Sequence, residues 1–132
     1  MCAKKVKFDK KRPFDSVYEL FTYLRGPKGC PWDKEQGFDD YLTYLKGEIQ
    51  ELESSETESE KIEESLDVFF NALMLLICID DEEGVPISKQ LSLLYQKYFE
   101  RHPHVFGGEK ASTPADVERI WQQVKDKERA DR

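Results

Sequence analysis

The 132-residue sequence has few cysteines and only two histidines, and these shortages exclude several classes of protein. Its three cysteines, Cys2, Cys30 and Cys78, are widely separated and form no C-x-x-C pair, so we expect neither a disulfide framework nor a zinc site. The basic stretch MCAKKVKFDKKR is not followed by an apolar segment of the kind found in secretory signals. The sequence therefore predicts a protein of the reducing cytoplasm.

Positive charge is also in short supply, because 20 Lys and Arg stand against 27 Asp and Glu, for a net charge of −7. Such a chain has no general electrostatic attraction for the phosphate backbone of duplex nucleic acid. The longest apolar run, residues 68–79, is interrupted by Asn71 and falls short of the roughly 20 residues of a membrane span. We therefore expect no duplex nucleic acid partner and no membrane partner, and an acidic protein that handles polyphosphates would need a cation.

Helical periodicity dominates the apolar positions, and no segment shows the alternation typical of strands. The pattern predicts an all-α fold, an antiparallel four-helix-bundle core with an additional C-terminal helix. The expected helices cover residues 15–25, 39–53, 59–81, 88–101 and 114–127. The segments 26–38 and 102–108 are rich in glycine and proline and are predicted to be irregular. Residues 1–12 are predicted to be a basic flexible tail, followed by a single domain over 13–132.

Four carboxylates lie on the apolar faces, or at their edges, of the second and third predicted helices. On a helical wheel Glu48 falls within an apolar stripe and Glu51 at its edge, while Glu64 and Asp67 share one face with Asn71. Each pair has i, i+3 spacing, so two packed helices would bring four carboxylates together. Such a set suits Mg²⁺ or Mn²⁺. The alternative is a solvated acidic face or pairing with lysines.

Several segments resemble the MazG-like nucleoside triphosphate pyrophosphohydrolases. The family signature E-E-x-x-E followed by E-x-x-D is similar to GEIQE at 47–51 and ESLD at 64–67. Further similar segments are GPKGCPWDKEQ at 26–36, RHPHVFG at 101–107 and VERIWQQVKDKERA at 117–130. The resemblance covers roughly residues 17–130 and rests on several independent motifs.

The resemblance implies a MazG-like domain that hydrolyses a nucleoside triphosphate to the monophosphate and pyrophosphate. The catalytic carboxylates, which are also the implied Mg²⁺ ligands, are Glu48, Glu51, Glu64 and Asp67. The implied substrate-binding residues are Lys97, Arg101 and Trp121. Asn71, which shares a helix face with Glu64 and Asp67, is also expected to bind the substrate. Lys97 and Arg101 are also i, i+4 neighbours on one predicted helix face. The family further implies a homodimer or a homotetramer.

One position departs from the signature, because Gly47 stands where the first Glu of E-E-x-x-E is expected. If the family uses that Glu as a general base, the alternative is a degenerate relative that binds nucleotide, metal or a protein partner without turnover. A di-iron bundle would need Glu-x-x-His pairs, and the two carboxylate-bearing helices contain no histidine. Trp32 is interpreted as a loop anchor packed on the core rather than as a surface on which a base stacks.

Overall fold

The computed structural model describes residues 6–132, which form seven helices and no strand. The helices are α1 (Pro13–Leu24), α2 (Pro31–Glu35), α3 (Phe38–Glu53), α4 (Glu58–Glu83), α5 (Ile87–Glu100), α6 (Pro103–Phe106) and α7 (Pro114–Ala130). The predicted all-α class is confirmed. The chain divides into two compact units, one ending at Val85 and the other beginning at Pro86.

The first unit is organised around α3 and α4, which pack along each other as a helical hairpin with a short connection over residues 54–57. Thr57 caps α4, since its hydroxyl oxygen accepts a hydrogen bond from the Glu60 amide at 3.1 Å. At the other end Gly84 adopts a left-handed conformation with φ 69°, which a glycine accommodates without a steric penalty. Both ends of the long helix are thus defined by their local sequence.

The core of this unit is small and partly aromatic. It consists of four buried residues, which are Tyr41, Met74, Ile77 and Cys78. Helix α1 packs against α4, and the rings of Phe21 and Phe70 meet edge to face with centroids 4.7 Å apart. Such contacts add about 0.5–1.5 kcal/mol beyond simple burial. The core fixes how α3 and α4 face each other.

The second unit contains α5, α6 and α7. Helix α7 begins with a capping box, in which the Thr113 hydroxyl accepts from the Asp116 amide and the Asp116 carboxylate accepts from the Thr113 amide. Ile120 is the buried apolar residue of this helix. The predicted fifth helix is therefore present, and it extends to Ala130.

Two segments that were predicted to be irregular contain short helices, and both predictions were wrong in this respect. Residues 31–35 form α2, and residues 103–106 form α6. Each begins with a proline at its first helical position, where a missing amide costs nothing and the fixed φ suits a helix. Neither α2 nor α6 could be predicted, because a single helical turn is too short to show a periodic pattern and both segments contain glycine.

The N-terminal prediction is covered only in part, since residues 1–5 lie outside the described residues. In the part that follows, the Asp9 amide donates to the Ser16 hydroxyl at 2.9 Å, and Arg12 pairs with Asp15. Flexibility of this segment, the single domain and the four-helix arrangement stay predictions. None of the helices within residues 6–132 combines the length and the apolar character needed to cross a membrane.

Candidate metal site

The carboxylates of Glu48, Glu64 and Asp67 converge between α3 and α4. One ligand oxygen from each residue lies within 4.8 Å of the others, and all three side chains are half-buried. Glu48 comes from α3, whereas Glu64 and Asp67 stand one turn apart on α4. Three oxygen donors at this separation match the preference of Mg²⁺ or Mn²⁺ for carboxylate ligands.

The electrostatics of the cluster also favour a cation. A hydrogen bond shared with Glu48, together with partial burial and the negative charges of Glu48, Asp67 and Glu51, raises the pKa of Glu64 to about 7. The cluster thus retains a proton well above the ordinary value of 4.5 for a glutamate, because it concentrates negative charge. A divalent cation bound here would neutralise this negative charge and displace the proton.

Glu51, the fourth predicted ligand, is placed differently. It is exposed and does not belong to the group of three, although its charge contributes to the raised pKa of Glu64. Together with Glu48 and Asp67 it lines a cavity of about 510 Å³. Its position on the last turn of α3 places it at the rim of the site.

The rest of this cavity is aromatic and amide-lined. Trp32 and Tyr44 stack with centroids 5.9 Å apart and planes inclined by 23°. Phe70 and Asn71 continue the wall on α4. Trp32 is 52% exposed, so its interpretation as an anchor packed on the core was wrong. Trp32 lies in α2, a helix that was not predicted from the sequence, and its position in this helix places it at the cavity.

Asn71, predicted as a substrate-binding residue, is only 3% exposed. Its Nδ2 donates to the main-chain oxygen of Asp67 at 3.0 Å. Its Oδ1 is buried and accepts no hydrogen bond from the described residues. A buried acceptor that the protein itself leaves unpaired is costly, and a hydrogen-bond donor that reaches it would remove this cost. The residues therefore fit a site that holds a cation and a larger polar molecule.

Arg25 fastens α2, and with it Trp32, to the helical hairpin. Its Nη1 donates to the main-chain oxygens of Asp33 at 2.7 Å and Gln36 at 2.6 Å, and its Nε pairs with Asp81 at 2.9 Å. Only 9% of this side chain is exposed. A cation at the carboxyl end of α2 satisfies carbonyl groups that the helix leaves free.

Gln36 extends this connection to the aromatic wall. Its Oε1 accepts from the Tyr44 hydroxyl at 2.8 Å, and its Nε2 donates to the main-chain oxygen of Trp32 at 3.1 Å. A single buried side chain therefore links the Tyr44 hydroxyl to the main chain of Trp32. Sequence reasoning missed Gln36, Arg25 and Tyr44, because the contacts that give them importance join residues from different elements.

Comparisons with known proteins find relatives that match most of the chain. The chain is 33% identical over 119 residues to the uncharacterized protein YabN of Bacillus subtilis, covering 88% of this chain and 24% of that protein. It is 30% identical over 120 residues to the nucleoside triphosphate pyrophosphohydrolase of Escherichia coli K12, covering 88% of this chain and 46% of that protein. No protein-family model matches the chain.

A solved structure gives the same result for the fold. A mazG-related protein from Thermotoga maritima superimposes with a TM-score of 0.72 at 24% identity, covering 85% of this chain and 98% of that one. The chain is MazG-like. This MazG-like chain spans less than half of the length of the two curated relatives above.

The three remaining residues predicted to bind the substrate lie in the second unit of the MazG-like chain. Lys97 is exposed, and its Nζ lies 5.8 Å from the centroid of the Tyr98 ring. Arg101 follows the end of α5 and pairs with Glu128 of α7 at 3.2 Å. The Trp121 ring meets His102 edge to face, with centroids 5.7 Å apart.

Proposed function

We propose that this MazG-like protein hydrolyses nucleoside triphosphates to the monophosphate and pyrophosphate in a reaction that depends on Mg²⁺. The observation that carries the proposal is the convergence of Glu48, Glu64 and Asp67 within 4.8 Å at a cavity large enough for a small ligand. The similarity to the nucleoside triphosphate pyrophosphohydrolase of Escherichia coli supports the same reaction class. In this reaction water adds to the α-phosphorus while the bond to the bridging oxygen breaks and pyrophosphate leaves.

Residues at the two ends of the cavity would have different roles, cation binding at one end and base stacking at the other. Glu48, Glu64 and Asp67 would hold the cation, with Glu51 at the rim available to a second ion or to a bound water. Mg²⁺ would neutralise the phosphates and polarise the attacking water when bound at these ligands; Mn²⁺ would serve in the same way. The ring faces of Trp32 and Tyr44 offer an apolar surface of the kind on which nucleobases stack.

Lys97, Arg101 and Trp121 enter the proposal through the family resemblance. We assign Lys97 and Arg101 to the phosphates and Trp121 to the nucleoside. The Arg101 side chain is 19% exposed, and its Nε is buried without a hydrogen-bond partner among the described residues. A guanidinium with a free donor can donate a hydrogen bond to a phosphate oxygen. This observation supports Arg101 more strongly than the exposed Lys97.

Incubation with Mg²⁺ and a panel of nucleotides, followed by detection of pyrophosphate, tests the proposal. We expect the wild-type protein to release pyrophosphate and the Glu48→Ala/Asp67→Ala double variant to release none. Added Mn²⁺ should not restore release by the double variant. Glu63→Ala is the matched control, because it removes an exposed carboxylate from the same helix as Asp67. Release that persists in the double variant would refute the assignment of the site.

A second candidate is a relative that binds nucleotide without turnover, and Gly47 favours it. A Cβ atom built at Gly47 meets no atom within 4 Å, so a glutamate is sterically acceptable where the family signature has one. Under this alternative the wild-type protein binds a Mg²⁺–nucleotide complex without releasing pyrophosphate, and Gly47→Glu confers release. Fast hydrolysis by the wild-type protein would exclude it.

Self-association is the last part of the proposal. Both units expose large apolar side chains, among them Phe14, Leu66, Leu93 and Tyr95, each at least 60% exposed. Apolar surface on this scale is typical of faces that meet another protein chain. We infer a homodimer or a homotetramer in the cytoplasm, and sedimentation of a monomer at micromolar concentration would contradict the inference.

A further inference from the structure

The unpartnered oxygen of Asn71 limits what can occupy the cavity. One of the two amide N–H groups is already used, since Nδ2 donates to the main-chain oxygen of Asp67. The hydrogen bond thus orients the side chain and leaves Oδ1 as an acceptor in a residue that is 3% exposed. Because burial removes this oxygen from bulk solvent, an occupant of the cavity gains by offering a donor and loses by offering an acceptor.

Asn71 stands at the end of the cavity away from the acidic cluster. It follows Asp67 by one turn of α4, which is about 6 Å further along the helix axis. On the neighbouring helix, Tyr44 precedes Glu48 by the same spacing, and α3 and α4 form a hairpin. Asn71 is therefore grouped with the aromatic wall of Trp32, Tyr44 and Phe70, whereas Glu48 and Asp67 form the anionic end.

We propose that Oδ1 of Asn71 accepts a hydrogen bond from the exocyclic amino group of adenine or cytosine, so that the site favours amino-substituted over keto-substituted bases. This inference rests on the proposed function, because it assumes that a nucleotide fills the cavity. A flat ring against Trp32 and Tyr44 would place its edge along α4, with its phosphates toward the cation.

The chemistry of the bases gives the direction of the preference. Adenine and cytosine present an amino donor at the position where guanine, uracil and thymine present a keto oxygen. A keto oxygen beside Oδ1 would place two acceptors together without a proton between them, in a wall that water reaches poorly. Since one such mismatch leaves a buried polar atom unpaired, we expect a preference of about tenfold.

Titration calorimetry with non-hydrolysable α,β-methylene triphosphates and Mg²⁺ tests this inference. We expect the adenosine analogue to bind about tenfold more tightly than the guanosine and purine riboside analogues, of which the last lacks the amino group. The cytidine analogue should likewise bind more tightly than the uridine analogue. In Asn71→Leu, which keeps the approximate volume but has no acceptor, these differences should disappear while binding of Mg²⁺ alone is unchanged.

The outcomes separate the inference from the proposed function. Equal binding of all analogues, or a preference that survives in Asn71→Leu, would overturn the role of Asn71 and leave nucleotide binding intact. Failure of every analogue to bind a protein that binds Mg²⁺ would overturn both. The comparison of adenosine with purine riboside analogues uses wild-type protein, so equal binding of these two would overturn the inference even if Asn71→Leu does not fold.

Discussion

The affinity of the site for Mg²⁺ should rise steeply with pH around neutrality. Glu64, whose pKa lies at about 7 because it shares a hydrogen bond with Glu48, must lose its proton before it can bind the metal. The ionised fraction of a group with this pKa is roughly 9% at pH 6 and roughly 91% at pH 8. The apparent dissociation constant should therefore fall by about tenfold between these values, and binding at pH 6 should release about one proton.

Calorimetry in two buffers of different ionisation enthalpy measures both the affinity and the number of protons released. In the metal-free protein, the side-chain carboxyl carbon of Glu64 should titrate near pH 7 by NMR. Glu48→Gln should return its pKa towards 4.5 by removing the charge that shares the proton. Glu63→Gln is the matched control and should leave the titration unchanged. Titration of wild-type Glu64 near 4.5, or an affinity constant from pH 6 to 8, would refute the reasoning.

The same shift has a consequence for the stability of the metal-free protein. The folded state holds a proton on Glu64 between about pH 4.5 and 7, where the unfolded state has already lost it. Because the folded state binds more protons in this range, its free energy of unfolding should fall as the pH rises from 4.5 to 7. In thermal denaturation, the wild-type protein should show this decrease and Glu48→Gln should show a smaller one. Added Mg²⁺ should counteract the decrease.

Two further predictions concern residues around the site. Arg25→Met should lower the free energy of unfolding by about 2–3 kcal/mol, because two main-chain oxygens lose a charged donor. The control Arg12→Met removes an exposed ion pair and should lower it by less than about 1 kcal/mol. Equal losses in denaturant titrations would contradict the assigned role of Arg25. Gly47→Ala should raise the free energy of unfolding by up to about 1 kcal/mol, since a Cβ there meets nothing within 4 Å, while Gly29→Ala should lower it because its Cβ would approach the Leu24 main-chain oxygen to 2.0 Å. A destabilised Gly47→Ala would show that the glycine has a structural role that its surroundings do not reveal.

The carboxylate cluster could be predicted from the sequence because its signal is local. Glu48 interrupts an apolar stripe, and Glu64 and Asp67 have a spacing that stacks them on one helix face. The main helices were predicted within about three residues at each end for the same reason. Helix packing determines which of four candidate carboxylates meet, and the periodicity alone could not place Glu51 at the rim rather than in the cluster.

The aromatic half of the cavity could not be predicted, because its construction depends on contacts between distant parts of the chain. Arg25 reaches Asp81 at the far end of α4, and Gln36 links Trp32 to Tyr44. No spacing rule connects these residues. The orphaned oxygen of Asn71 is also invisible in the sequence, where the residue reads only as a polar interruption of an apolar helix.

The short connection between α3 and α4 has a consequence for the kinetics of folding. Glu48, Glu64 and Asp67 belong to one helical hairpin, so their approach requires the closure of a short loop and occurs among the fastest contacts that the chain can make. Repulsion among the three carboxylates opposes that early docking, and a divalent cation relieves it. Mg²⁺ should therefore accelerate refolding, and stopped-flow measurements with and without the ion would detect a site that assembles before the remainder of the chain.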